Sequence, residues 1–311
     1  MSYLQIVRSG CTRKRLRARG SKRFYLPLLV CCVLFGYLML SGCGGRSAEE
    51  LVQDLKSRDE EIRRRAALEL LKKPKEEAVP PLVQAVQTGD EQTQYIAIQL
   101  LGKMRDPEVM DVLAGLLEIR NEYIRGAVAE ALGNLKNPEA IDPLLRCLKD
   151  SSSVVREKAA MSLWGIEDPR VMPALIAAMS DVVPEVRRNA LVSLAKIWPA
   201  LTQSAPKDTL LTAIERALDD EAAAVRFVAV QLAGKMRDVP AVPVLIRRLH
   251  DENTSVRQKA ARSLGEIGDD RAVPHLEKLM RFGLPEEQEA AQWALKQITG
   301  YDYVIEEEFE E

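Results

Sequence analysis

Beyond residue 43 the chain has one cysteine, Cys147, and over its whole length only two histidines, His250 and His275. A single thiol excludes an internal disulfide framework there, so stability has to come from packing. The histidines lack the spacing of a metal pair, and a zinc centre takes three or four His, Cys or carboxylate ligands. No Gly-rich phosphate loop, G-x-S-x-G turn or other nucleophile motif occurs. No segment shows the two-residue alternation of a half-buried strand, Tyr301 to Ile305 being the nearest approach.

Acidic residues are missing from the first 42 positions, which contain eight basic ones from Arg8 to Arg23. Phe24 to Leu40 follows as 17 residues without a charge. A basic stretch, a short apolar core and small residues at its end describe an export signal. An uncleaved membrane anchor is the alternative, although the run is short for a bilayer and Pro27 interrupts it. In either case the basic flank stays in the cytoplasm and the rest lies outside. The whole chain has 44 basic and 46 acidic residues. Without the first 42 residues, 36 basic face 46 acidic, a net charge of −10. That balance excludes generic nucleic-acid binding, which needs a basic footprint.

Leu40-Ser41-Gly42-Cys43 resembles the lipobox of bacterial lipoproteins. The resemblance implies cleavage after residue 42, lipid attachment at Cys43 and a short tether over 43–46. The expected address is the cell envelope, lipid-anchored outside the cytoplasm. Gly44 carries no inner-membrane retention signal, so the choice of membrane stays open.

The remainder is repetitive, and internal repetition overrides a domain count taken from length. Ile62, Thr93, Ile124, Val155, Val186, Val225, Val256 and Glu287 mark one column, at intervals of 31, 31, 31, 31, 39, 31 and 31. Four residues on, the column is Ala66, Ala97, Val128, Ala159, Ala190, Ala229, Ala260 and Ala291. Eight residues on it is Leu in every unit but one, which has Ala233. Apolar positions at i, i+4, i+8 and i+11 predict one face of a helix, and the small residue at i+4 admits a close neighbour. A second helix is predicted eleven to seven residues before each marker. Pro80, Pro173, Pro243 and Pro274 share a column near its start, where a missing N–H costs little.

These helix pairs resemble HEAT repeats, in particular the short bacterial form known as PBS-lyase HEAT-like repeats. The resemblance implies an all-α fold, an α–α superhelix of about eight pairs spanning 47–300. An acidic tail follows at 301–311. The 39-residue interval predicts an insertion near 199–207, read as a longer surface loop, as a break that lets two halves flex, or as a contact loop. The family pairs an Asp ending the first helix with an Arg six residues on, here Asp150/Arg156, Asp181/Arg187, Asp220/Arg226 and Asp251/Arg257. By resemblance these form a structural ladder between stacked repeats. Arg63 and Arg125 keep the Arg, but Ser57 and Ile119 replace the Asp.

No cofactor or metal is expected. Some relatives of this repeat form attach pigments, but Cys147 reads as a half-buried thiol and the tryptophans read as packing residues. The function expected is a membrane-anchored protein-binding scaffold and not an enzyme. The alternative is an enzyme of the repeat family with an unrecognised site. The second helix of each pair is expected to line the concave side, exposing positions two, six and ten past each marker. That stripe has seven basic and four acidic residues. Tyr95, Lys103, Met161, Lys196, Phe227, Lys235 and Arg262 are its candidate contacts, suited to an acidic segment of another envelope protein.

Overall fold

The computed structural model describes residues 45–201, 207–237 and 239–303. The leader with Cys43, the core of the insertion and the tail from residue 304 lie outside the described residues. The chain divides into two units, Met1–Ser47 and Ala48–Glu311, and the following concerns the second. Among the described residues there are sixteen α-helices and no strand.

The helices form eight pairs, helix A then helix B. The first four pairs are α1 (Ala48–Asp54) with α2 (Glu60–Leu70), α3 (Lys75–Thr88) with α4 (Glu91–Met104), α5 (Met110–Gly115) with α6 (Glu122–Leu135), and α7 (Ile141–Cys147) with α8 (Ser153–Ser162). The last four are α9 (Val171–Ala178) with α10 (Pro184–Leu201), α11 (Lys207–Leu218) with α12 (Ala223–Met236), α13 (Val242–Arg248) with α14 (Thr254–Ile267), and α15 (Val273–Phe282) with α16 (Pro285–Thr299). No helix is long and apolar enough to cross a membrane among the described residues.

Local chemistry sets the boundaries. Asp59, Asp90, Asn121 and Asn253 each accept a hydrogen bond from a first-turn N–H of the B helix that follows. Such caps satisfy donors that the helix leaves orphaned. Three A helices are entered through a 3₁₀ turn opened in the same way by Asp106, Asn137 or Asp269. Proline behaves less uniformly than its column suggests. Pro243 and Pro274 stand in the first turn of their helices, whereas α3 begins five residues before Pro80 and runs through Pro80 and Pro81.

The marker, +4 and +8 columns form a spine along the B helices, apolar except at Thr93 and Glu287 and buried in every unit except at Ile62. Among the described residues no repeat precedes Ile62 to cover it. From α4 onward consecutive B helices pack along their lengths, whereas α2 meets α4, and most consecutive A helices meet each other, at only a few points. Four glycines explain the close approach. A Cβ on Gly102 would lie 2.7 Å from Ala131 Cα, and one on Gly265 would lie 2.7 Å from Ala294 Cα; Gly133 and Gly234 are equally tight. In a curved stack the closely spaced row is the inner one, so the B helices line the concave face.

The Arg/Asp ladder runs between stacked repeats, as the resemblance implies, and joins each Arg to the Asp of the next unit and not to the Asp six residues before it. Each guanidinium makes a bidentate pair with the carboxylate of the next unit: Arg125 with Asp150, Arg156 with Asp181, Arg187 with Asp220, and Arg226 with Asp251. Its own unit supplies only turn carbonyls, as when Arg156 Nη1 donates to the carbonyls of Asp150 and Ser151. Each Asp also accepts an N–H two residues on, from Ser152, Val183, Ala222 or Asn253. One side chain thus fixes its own turn and the neighbouring repeat together. Arg125 is therefore fully paired although its unit has Ile119 in place of Asp. Arg63 is the exception, because the next unit places Thr88 at that position. Arg63 donates to the Ser57 carbonyl at 2.7 Å, and the Gln92 amide, suitably turned, stands in for the carboxylate. At the far end Arg257 bonds to Glu287 at 2.6 Å. The apparently degenerate marker residue supplies the last carboxylate.

The extra residues of the 39-residue interval are partly helical. α10 continues through Pro199 to Leu201, so the insertion is narrower than 199–207. Pro199 has no N–H for the carbonyl four residues back, and Lys235 Nζ lies 3.4 Å from that Ala195 oxygen. The stack is not interrupted. α10 packs on α12, and the Arg187–Asp220 pair spans the interval.

Candidate functional site

The inner face carries a groove built from the half-exposed stripe of the B helices. Every stripe position is exposed or half-exposed except Gly126. A Cβ there would meet Val154 and the Lys158 stem, so Gly126 seats the neighbouring helix and does not face solvent.

Two pockets lie along this groove and share Arg188 and Val192. One, of about 330 Å³, spans units two to five and contains Met161 and Lys196. The other, of about 490 Å³, spans units five to seven and is floored by Phe227. Lys235 and Arg262 lie farther along, near Lys259. Burial holds the Lys259 ammonium below the usual lysine range; Glu266 opposes this, and Lys235 and Arg262 reinforce it. Tyr95 stands apart as an exposed ring whose hydroxyl accepts from Gln99. Lys103 is exposed and lines neither pocket.

The centre of the smaller pocket is a residue that the stripe does not include. Trp164 is 41% exposed, with Lys196 Nζ 4.0 Å and Lys136 Nζ 5.8 Å from its ring centroid. Arg105 and Arg188 complete a set of four cations. None of the four is in an ion pair among the described residues. The one carboxylate lining the pocket, Glu130, is already held by Lys158 at 2.8 Å. The packing assignment of the tryptophans holds only for Trp198, which is buried; Trp164 and Trp293 are exposed on the groove. Trp164, Lys136 and Arg105 fall nine and twelve residues past their markers, outside the expected positions. The usable signal was the Trp164 column itself, which is Gly in four other units.

Cys147 is 4% exposed, more buried than the half-buried thiol expected, and burial pushes its pKa up to about 11. A thiol that stays protonated and covered is a poor nucleophile for pigment attachment. Among the described residues no group of three or more His, Cys, Asp or Glu is arranged to hold a metal ion.

The family described as HEAT repeats matches in overlapping segments at 48–119, 80–164, 113–196, 148–213 and 210–296. The chain belongs to the HEAT-repeat family. Its fold is similar to the crystal structure of YibA from Escherichia coli, at 18% identity and TM-score 0.64, covering 91% of this chain and 99% of that one. An engineered protein aligns at 23% identity and TM-score 0.54, over 81% of this chain and 78% of its own. The CpcE–CpcF complex of phycocyanin lyase from Nostoc sp. has 23% identity over 70% of this chain and 94% of its own, with TM-score 0.44. Likeness at that level carries no functional argument. No curated protein matches the chain. Identities this low establish the HEAT solenoid and nothing about what its groove holds.

Proposed function

We propose that this HEAT solenoid is a scaffold of the cell envelope, anchored by lipid at Cys43, whose inner groove docks an acidic segment of another envelope protein. The observation that carries the reading is a charge inversion. A chain of net charge −10 past residue 42 concentrates Lys and Arg on its inner face, four of them outside any ion pair among the described residues, interleaved with exposed rings. Cations in a concave, partly apolar trough attract an anionic partner from a distance, and aromatic side chains supply contact energy once it arrives. No catalytic step belongs to this proposal.

Reversing the charges at Lys103, Lys196 and Lys235 together is expected to weaken capture of an envelope partner, most strongly at low salt where screening is least. If the triple variant captures the same partner as wild type while a convex-face variant loses it, the groove is not the docking surface. The anchor is tested separately. Cys43→Ala is expected to abolish incorporation of labelled fatty acid and to leave an uncut precursor. A wild-type protein that runs unlipidated and soluble in the envelope fraction contradicts that part alone.

A further inference from the structure

The column nine residues past the marker is where neighbouring B helices touch, and four units fill it with Gly102, Gly133, Gly234 and Gly265 because nothing larger fits. Unit four has Trp164 there. An indole cannot occupy a backbone-to-backbone contact. Accordingly α8 stops at Ser162, after 10 residues where α4, α6, α12 and α14 have 14. A 3₁₀ turn over Leu163–Gly165 follows, and the ring turns out onto the inner face.

The same pocket gathers cations at some cost in backbone conformation and charge. Arg105 and Lys136 have left-handed backbones, φ 53° and 52°, in a column that unit seven fills with Gly268. Arg237 adopts the same conformation elsewhere, and cations are generally favourable at helix C-termini, so this feature alone marks nothing. Here it coincides with Lys196 over the indole and with Arg188, which also lines the pocket. Four like charges around about 330 Å³ repel one another, and no carboxylate among the described residues pairs with them.

We propose that this pocket is the specificity site of the groove and recognises a carboxylate-rich peptide segment bearing a neighbouring apolar side chain. One carboxylate sits between the Lys136 and Lys196 ammonium groups at the indole, and a second on the Arg188 guanidinium. The apolar side chain packs on Met161, Val192 and the free edge of Trp164. A pocket of this volume is at the small end of ligand sites, which suits one or two side chains of a longer partner and not a free cofactor. The inference rests on the groove reading above and sharpens it to one location.

The test uses the full chain in a Trp293→Phe background, so that Trp164 is the exposed fluorophore. The probe is a capped Gly-Glu-Glu-Phe-Glu-Glu-Gly peptide, with Gln replacing Glu in the control. The acidic peptide is expected to change the emission of Trp164 and the Gln peptide to leave it unchanged. Trp164→Gly, which restores the residue of the sibling units, and Lys196→Gln are each expected to weaken binding at least tenfold by calorimetry, with melting temperature showing that the fold persists. Lys278→Gln, an exposed position on α15 outside the groove, should change it less than twofold. If the peptide binds wild type and Trp164→Gly alike while a Lys235→Gln/Arg262→Gln variant loses it, the groove reading stands and the pocket is overturned. If no peptide binds wild type while the triple charge reversal still abolishes partner capture, the pocket chemistry is wrong. Phosphatidylglycerol vesicles should leave the emission unchanged; a response to them without one to the peptide assigns the pocket to lipid and overturns the proposal.

Discussion

Arg226 and Asp251 form the most deeply buried pair of the ladder, with side chains 6% and 1% exposed. Removing the Arg would leave the buried carboxylate with only Arg248, at 3.3 Å, and the Asn253 N–H. Arg226→Ala is therefore expected to cost about 3 kcal/mol, the low end for a broken buried pair. Arg63→Ala should cost about 1 kcal/mol, because only a carbonyl and an amide are lost. Arg125→Ala should resemble Arg156→Ala despite the missing Asp in its own unit, and a urea denaturation series checks all four. The ladder also sets a pH dependence. The Arg125 hydrogen bonds, against the opposing effect of burial, hold the Asp150 carboxyl below its ordinary value. At Asp181 and Asp251 burial pushes upward, but Arg156, Arg226 and the turn amides outweigh it and the values are again lowered. A depressed folded value means the unfolded chain takes up protons first as pH falls. The stabilisation is full above the ordinary carboxylate value of 3.8 and is lost as pH falls through the lower folded values. The urea midpoint should hold from pH 7 to about 5 and drop below 4, less steeply in Arg226→Ala. These residues were legible in sequence as a motif. Their partners were not, because the intra-unit and inter-unit carboxylates are equally regular in a repeat and only the stacking tells them apart.

Helix pairs could be read from periodicity because one buried face recurs with the same spacing in nearly every unit. What periodicity misses is a position where one unit departs from its siblings. Glu287 breaks the apolar run of the marker column, yet it is the last ladder carboxylate and also caps α16 through the Leu284 N–H. Trp164 looked like core because Trp usually is; the helix contact that excludes it exists only once neighbouring units are stacked. The glycine column makes the same point experimentally. Gly133→Ala drives a methyl into Ser162 of the adjacent helix, and overpacking of this kind costs about 1–3 kcal/mol. Gly115 closes α5 with open space around its Cα. Gly115→Ala is expected to stabilise by roughly 0.5–1 kcal/mol through helix propensity alone. Thermal melts of the two variants should move in opposite directions. Movement in the same direction would mean that B-helix spacing is not set by this column.

At the scale of the whole solenoid, each repeat contacts only its neighbours, so cooperativity depends on every interface being strong enough to couple the units across it. The junction after α10 is the place to ask, because the chain takes eight extra residues there and the Arg-to-Asp separation grows from 25 to 33. Sequence left open whether this break lets two halves move. The structure shows helix packing and a pair with both side chains 10% exposed carried straight across it. Five units precede the junction and three follow, and three is about the smallest stack that holds a core. The shorter block is therefore the one that depends on the coupling. Trp198 reports on the first block and Trp293 on the second, so variants retaining one or the other read them separately. In otherwise wild-type protein the two urea transitions should coincide. Arg187→Ala removes the junction pair and should move the Trp293 transition to lower urea while the Trp198 transition stays behind. Coincident transitions in that variant would show that apolar packing of α10 on α12 couples the blocks without the ladder. Separate transitions already in wild type would make the insertion a true boundary.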